Sequence, residues 1–188
     1  LLPIIKILDP NCSDVQALII VPSRELAIQI EQVIRNMGSG FKANAVYGGR
    51  PMSKDKIEIK HTPAILIGTP GRIADHFSNN RFSLKNIKSL ILDEFDKSLE
   101  DGFEVEMRDI INQLPHINKR VLTSATKTLK VPDFVRLNLP TTINYLQEKI
   151  ASKLDIKTVL STSKTKLPSL LELLQFLGNQ NGIIFCNL

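Results

Sequence analysis

Short runs that are apolar at every position alternate along this chain with segments whose apolar residues recur at helical spacing. Ala17-Leu18-Ile19-Ile20-Val21 is the first such run, and Leu26, Ala27, Ile30, Val33 and Ile34 then fall on one face of a helix. Gly38 and Gly40 punctuate the end of that helix. Strands are predicted at Ala43 to Tyr47, Ala64 to Ile67, Ser89 to Leu92, Arg120 to Thr123 and Thr142 to Leu146. Phe103, Met107, Ile110, Ile111 and Leu114 mark a further helix that Pro115 stops. Strands apolar throughout and separated by helices imply a parallel sheet covered on both faces, an α/β fold. In such sheets ligands bind beyond the carboxyl ends of the strands. Those ends are rich here in polar residues, glycine and proline.

The character changes near Glu148. Lys149 to Lys166 is polar and lysine-rich, with alternation at Leu154, Ile156, Thr158 and Leu160. A helix through Leu167, Leu170, Leu171, Leu174 and Leu177 follows, then a turn and an apolar run, Ile183-Ile184-Phe185-Cys186, that reads as a strand. The expected organisation is one domain over 1–147, a linker and first strand over 148–163, and the beginning of a second domain over 164–188. The chain starts at Leu1 rather than Met and runs out just after an apolar stretch, so both ends are expected to be cut from a longer polypeptide.

Composition narrows the function classes. The 188 residues carry a net charge of +5, which favours polyanionic partners because phosphate contacts dominate nucleic-acid affinity. No apolar run approaches the ~20 residues needed to span a bilayer. The two cysteines, Cys12 and Cys186, form no metal-ligand spacing, and a reducing cytoplasm is the default setting.

The candidate chemistry sits at strand ends. Leu90-Ile91-Leu92-Asp93-Glu94 is an apolar strand finishing in two acids. That pattern delivers an aspartate to a nucleotide's magnesium, with the next acid placed to orient or deprotonate a water. Two solvated acids at a strand end is the competing reading. Adjacent strand residues point to opposite faces, so the pair can serve one site only if the backbone turns there. Ser124-Ala125-Thr126 also follows a buried-type strand. Its hydroxyls could bond a carboxylate such as Asp96, or the segment could be an ordinary loop with a helix cap. Arg24 and Arg72 sit at predicted helix starts, where free N–H groups favour anions, though a surface salt bridge would account for either.

Taken together these segments resemble the DEAD-box ATP-dependent RNA helicases. Pro22-Ser23-Arg24-Glu25-Leu26-Ala27 is similar to the family's Pro-Thr-Arg-Glu-Leu-Ala motif, and Gly48-Gly49 to its paired glycines. Thr69-Pro70-Gly71-Arg72 matches the next RNA-contacting motif. Asp93-Glu94-Phe95-Asp96 stands where the family has Asp-Glu-Ala-Asp, and Ser124-Ala125-Thr126 matches the motif after it. Ile183-Ile184-Phe185-Cys186-Asn187 resembles the first motif of the family's second RecA-like domain. The resemblance implies a RecA-like fold, ATP and Mg²⁺ as cofactors, and RNA gripped by its phosphate–sugar backbone. It implies that Asp93 holds Mg²⁺ through water, that Glu94 activates the hydrolytic water, and that Asp96 pairs with Ser124 and Thr126. It further implies that Pro22, Arg24, Gly48, Gly49, Thr69, Pro70, Gly71 and Arg72 line the RNA path.

The departures are specific. Ser23 keeps the hydroxyl of the family's threonine. Phe95 replaces an alanine, for which repacking is expected. No glycine is followed by lysine, so the phosphate-cradling Gly-x-x-x-x-Gly-Lys loop is absent from these residues. The expectation is therefore that the parent protein hydrolyses ATP and remodels RNA, while this polypeptide alone does not. The missing strand of that loop is expected to leave a buried gap or an edge in the sheet, which pairing between two copies of the chain could fill. Rival readings are a non-catalytic RNA-binding module on the same fold, a related DNA helicase or other P-loop ATPase, and a structural protein of RecA-like shape.

Overall fold

The structure, a computed structural model, describes residues 1–126, 130–145, 157–161, 166–179 and 181–185. The chain divides into two compact units, Leu1–Leu146 and Gln147–Leu188.

The first unit is built on five parallel strands: β1 (Ala17–Ile20), β2 (Ala43–Val46), β3 (Ile65–Gly68), β4 (Ser89–Leu92) and β5 (Lys119–Leu122). They lie in the order β2-β3-β1-β4-β5. Every residue of β1, β3 and β4 is buried, as expected of parallel strands covered on both faces. Side-chain alternation divides them between two cores. Leu18, Ile20, Leu66, Leu90 and Leu92 pack with Ile73 and Phe77 of α4 (Pro70–Ser78) and with Met107, Ile110 and Ile111 of α6 (Glu104–Asn112). Ala17, Ile19, Ile65, Ile67 and Ile91 face the other way, onto Ala27, Ile30 and Ile34 of α2 (Arg24–Asn36) and Ile4 of α1 (Leu2–Ile5). Two further short helices are α3 (Met52–Glu58) and α5 (Phe95–Glu100).

The register is flush at the carboxyl ends. Val46 pairs with Gly68, Gly68 with Ile20, Ile20 with Leu92, and Leu92 with Leu122. The ladder continues one step further through Thr69 N–H to Val46 O (3.2 Å), Val21 N–H to Gly68 O (3.0 Å), Asp93 N–H to Ile20 O (2.9 Å) and Thr123 N–H to Leu92 O (3.0 Å). Residues that are remote in sequence therefore leave the sheet side by side. The chain order reverses at β1, with β3 on one side and β4 on the other. This is the switch point at which open α/β sheets bind ligands. At the end of β3 only glycine fits: a Cβ on Gly68 would run into Val46 O and lie 2.9 Å from Ile73 Cδ1.

The strands predicted from the sequence at Ala17, Ala43, Ala64, Ser89 and Arg120 are all present, the one at Ser89–Leu92 with the expected ends and the others with one or both ends shifted by one residue. The strand expected from Thr142 is not formed. Residues 142–145 make no ladder, and Ile143 and Tyr145 are exposed to solvent; Leu146 lies outside the described residues. Apolar side chains alone do not make a strand: among the described residues the sheet ends at β5 and does not reach this segment. The same holds at 183–185, where Ile183 and Phe185 are exposed and no strand forms, Cys186 being outside the described residues. In the second unit the helix expected from Leu167 is α7 (Leu167–Leu177). Residues 157–161, including Thr158 and Leu160, form no strand, and Leu154 and Ile156 are outside the described residues. Helices α3 and α5 were too short for their periodicity to show in the sequence. Among the described residues no helix is long and apolar enough to cross a membrane.

Phe95, the bulky departure from the family's alanine, is fully buried against the α4–α6 side of the sheet. Phe95→Ala, although it restores the family residue, should lower unfolding stability by about 3–5 kcal/mol through the cavity it leaves. A urea titration checks this as a lower midpoint at unchanged m-value.

Candidate functional site

Asp93 is the first residue beyond β4, and β5 supplies its partner. The Thr123 hydroxyl donates to Asp93 Oδ1 and accepts from Glu94 N–H at 3.1 Å, while Phe95 N–H donates to Thr123 O at 3.0 Å. One hydroxyl thus uses its proton on the carboxylate and a lone pair on the next amide. Glu94 has φ 46° and ψ 50°, the left-handed region, at a cost of roughly 1–2 kcal/mol for a side-chain-bearing residue. That is the turn two adjacent acids need to serve one side of the sheet. Asp93 is half-buried and Glu94 exposed.

Asp96, in the first turn of α5, is only 4 % exposed. Burial pushes its carboxyl up, but the Lys97 backbone, the Ser124 hydroxyl, its own backbone and the Thr126 hydroxyl together hold it below the usual aspartate value. Its Oδ2 makes no hydrogen bond of standard geometry among the described residues. Ser124 Oγ accepts from Thr126 N–H at 3.0 Å and lies 3.1 Å from Thr126 Oγ1, so the two hydroxyls form one compact turn near Asp96. The sequence pointed to Ser124 and Thr126 and missed Thr123, which makes the direct contact to Asp93. Its signal was register: once Leu92 is placed opposite Leu122, Asp93 and Thr123 are opposite by count.

On the other side of the switch point lie the remaining candidates. Ser23 caps α2, its hydroxyl accepting from Leu26 N–H at 3.2 Å. Arg24 follows, half-exposed and paired with exposed Glu25 at 3.1 Å, an interaction of little energetic weight. Gly49 has φ +84°, and a Cβ there would sit 3.7 Å from Arg24 Nη1. Arg24, Gly48, Thr69, Gly71 and Arg72 line a single open pocket of about 380 Å³ together with Asp75 and Phe103. Pro22, Gly49 and Pro70 flank those residues in sequence without lining it, and Pro70 is buried as the first residue of α4.

Arg72 differs from Arg24. Its side chain is only 10 % exposed. Its Nε donates to Tyr47 O at 3.0 Å, its Nη2 donates to Arg50 O, and Asp55 Oδ2 lies 3.1 Å from Nε. Asp55 is fully buried and also meets Arg50 Nε at 2.6 Å and His76 Nε2 at 2.9 Å. Because a carboxylate only accepts, His76 Nε2 carries the proton, and Nδ1 is buried with no hydrogen-bond partner among the described residues. Burial outweighs the Asp55 hydrogen bond and drives the imidazole below its ordinary pKa. Sequence reasoning passed over Asp55 and His76. The available signal was spacing: Arg72 and His76 share a helix face at i, i+4, beside the apolar Ile73 and Phe77.

The family described as DEAD/DEAH box helicase matches residues 1–134. The chain is 34 % identical over 190 residues to the ATP-dependent RNA helicase DHH1 of Saccharomyces cerevisiae, covering 99 % of this chain and 38 % of that protein. It is 35 % identical over 195 residues to the ATP-dependent RNA helicase DDX47 of Drosophila melanogaster, with 99 % and 38 % covered. Among solved structures, a DEAD box protein from Methanococcus jannaschii matches with a TM-score of 0.61 and 36 % identity over 66 % of this chain and 34 % of that one. A hypothetical ATP-dependent RNA helicase from Sulfolobus tokodaii matches with the same TM-score and 29 % identity, over 72 % and 38 %. The chain thus spans well under half the length of these relatives.

His76 gives the fold a pH dependence of definite sign. The unfolded chain takes up a proton near 6.5, whereas the folded imidazole does so only at lower pH, so the unfolded state binds more protons and stability falls as pH drops below 6.5. His61 and His116 are exposed. Thermal unfolding should therefore show a decline in Tm from pH 7 to pH 5 that is shallower in His76→Gln than in the unmodified chain.

Proposed function

Because this chain belongs to the DEAD/DEAH box helicase family, we propose that it forms the nucleotide- and RNA-handling part of an enzyme that couples ATP hydrolysis to RNA unwinding or remodelling. The fold is α/β and RecA-like, a parallel sheet flanked by helices. The observation that carries the proposal is the flush row of strand ends. Asp93 and Thr123 stand on one side of β1, with Asp96 close behind, and the pocket of Arg24, Gly48, Thr69 and Gly71 stands on the other.

In this reading Asp93 carries Mg²⁺ through water and Glu94 orients the attacking water. Asp96, with Ser124 and Thr126, ties the nucleotide state to domain closure. The donor chemistry suits the metal. Among the described residues no cluster of three or more His, Cys, Asp or Glu could hold an ion by itself, and Mg²⁺ is commonly bound by one or two carboxylates plus substrate phosphates. Bound Mg²⁺ neutralises phosphate charge. The chain's own contribution is to fix Asp93 through Thr123 and to turn Glu94 toward the same side. Pro22, Arg24, Gly48, Gly49, Thr69, Pro70, Gly71 and Arg72 form the RNA track, with half-exposed Arg24 as its phosphate contact and inward-facing Arg72 as a brace. Residues 1–147 make up the first RecA-like domain, 148–163 a linker entering the next, and 164–188 its beginning. The setting is cytoplasmic.

Two tests apply. Without a glycine–lysine phosphate loop, the 188-residue chain should show no RNA-stimulated ATPase; activity that Glu94→Gln abolishes would count against the assignment of the missing loop. Arg24→Ala should weaken single-stranded RNA binding and reduce the slope of log affinity against log salt by about 0.7, the loss of one phosphate contact. In a longer form bearing the loop, RNA binding without ATP hydrolysis would favour the non-catalytic module.

Self-association would use β5, which among the described residues has a strand beside it on the β4 side only. An unpaired edge is a template for another chain. Sedimentation should show a dimer that Arg120→Pro, which removes an N–H facing away from β4, disrupts, and a monomer at all concentrations would refute the pairing.

A further inference from the structure

We infer that Asp55 is the positioning residue of the diglycine turn in the pocket wall. The functional part of this inference rests on the RNA reading above; the structural part rests on geometry alone. Tyr47 and Arg50 flank Gly48-Gly49, and the carbonyls of both accept from the single guanidinium of Arg72. The turn is thereby tied at its two ends to the first turn of α4. It has no side chains of its own to hold it, and Gly49 occupies a conformation, φ +84°, that side-chain-bearing residues rarely adopt.

Asp55 is the buried counter-charge of Arg72, whose Nε–H itself goes to Tyr47 O. Its carboxylate gathers three groups from separate segments: Arg50 at the exit of the turn (2.6 Å), Arg72 (3.1 Å) and His76 one helical turn later (2.9 Å). Arg50 is further fixed by Glu58 at 2.7 Å, by Ala45 O at 3.0 Å and by the Tyr47 ring at 4.6 Å. Stability is a poor reason for such an arrangement, since well-packed apolar residues commonly replace a buried ion pair without loss. Placement is a better one. With Arg72 turned inward, the guanidinium left for phosphate at this wall is that of Arg24, which lies beside Gly49. Asp55 thus acts on RNA through Arg72 and the turn, touching no phosphate itself.

The test uses the 188-residue chain, a single-stranded homopolymer RNA as probe, and backbone NMR order parameters. Asp55→Asn keeps the shape and removes the charge. It should weaken RNA binding about tenfold at fixed salt, in keeping with the loss of a buried counter-charge, while leaving the salt slope unchanged. It should also lower the order parameters of Gly48, Gly49 and Arg50 while those of Leu18 and Leu90 stay at rigid-backbone values. Order parameters at the turn that are unchanged, or that fall equally in β1 and β4, overturn the inference, as does a salt slope that falls as it does in Arg24→Ala. Should Asp55→Asn not fold, His76→Leu, which removes one of the three partners, is read by the same order parameters. If the unmodified chain binds no RNA, the RNA reading fails, and the order parameters alone decide whether Asp55 positions the turn.

Discussion

The parallel hydrogen-bond ladder that joins β2, β3, β1, β4 and β5 stops at one level, and the chemistry of the protein depends on that level edge. Each strand is four residues long and gives way to polar or glycine-rich sequence at the same height. Val21, Tyr47, Thr69, Asp93 and Thr123 are scattered over a hundred positions of chain, yet leave the sheet as neighbours. The hydrophobic cores on the two faces hold the register by fixing which side each residue faces. Leu18 and Ile20 cannot exchange places with Ala17 and Ile19 without emptying both cores.

Two ways of placing charge stand side by side at this edge. Arg24 and Glu25 pair in solvent, where the interaction is screened and easily broken, so Arg24 remains open to a competing anion. Arg72 is enclosed, and its partners are a fully buried carboxylate and two main-chain carbonyls. An arginine so committed contributes shape more than charge. The two arginines belong to matching positions of similar motifs, at the start of a helix after a strand, and only their surroundings separate their roles. At the acid tip the hydroxyl of Thr123 plays a comparable part, holding one oxygen of Asp93 and leaving the other unengaged by any standard hydrogen bond among the described residues.

Much of this was legible in the sequence, for physical reasons that also mark where legibility ended. All-apolar runs announced β1, β3 and β4, because strands buried on both faces tolerate nothing else. The acids, glycines and hydroxyls at their ends were visible as motifs. Hidden were features that depend on a neighbour. Thr123 needed the β4–β5 register. Asp55 and His76 needed the packing of α3 against α4, and as isolated letters they resemble surface residues. Arg72 read as a helix-start cation for an anion or a surface salt bridge, because its enclosure comes from Tyr47, Arg50 and Asp55. The run from Thr142 misled in the opposite direction, since its strand-like composition forms no ladder among the described residues.

The level edge also zones the chain's tolerance of length change. One residue inserted within β1 would carry the segment from Val21 to Arg24 about 3.3 Å beyond its neighbours and rotate every following side chain to the opposite face. The same insertion at the exposed turn of Asn79 and Asn80, after α4, would be taken up at the surface. Lineages of this fold can therefore lengthen the segments that enter the sheet, but the spacing between each strand's core residues and the tip that follows it is locked.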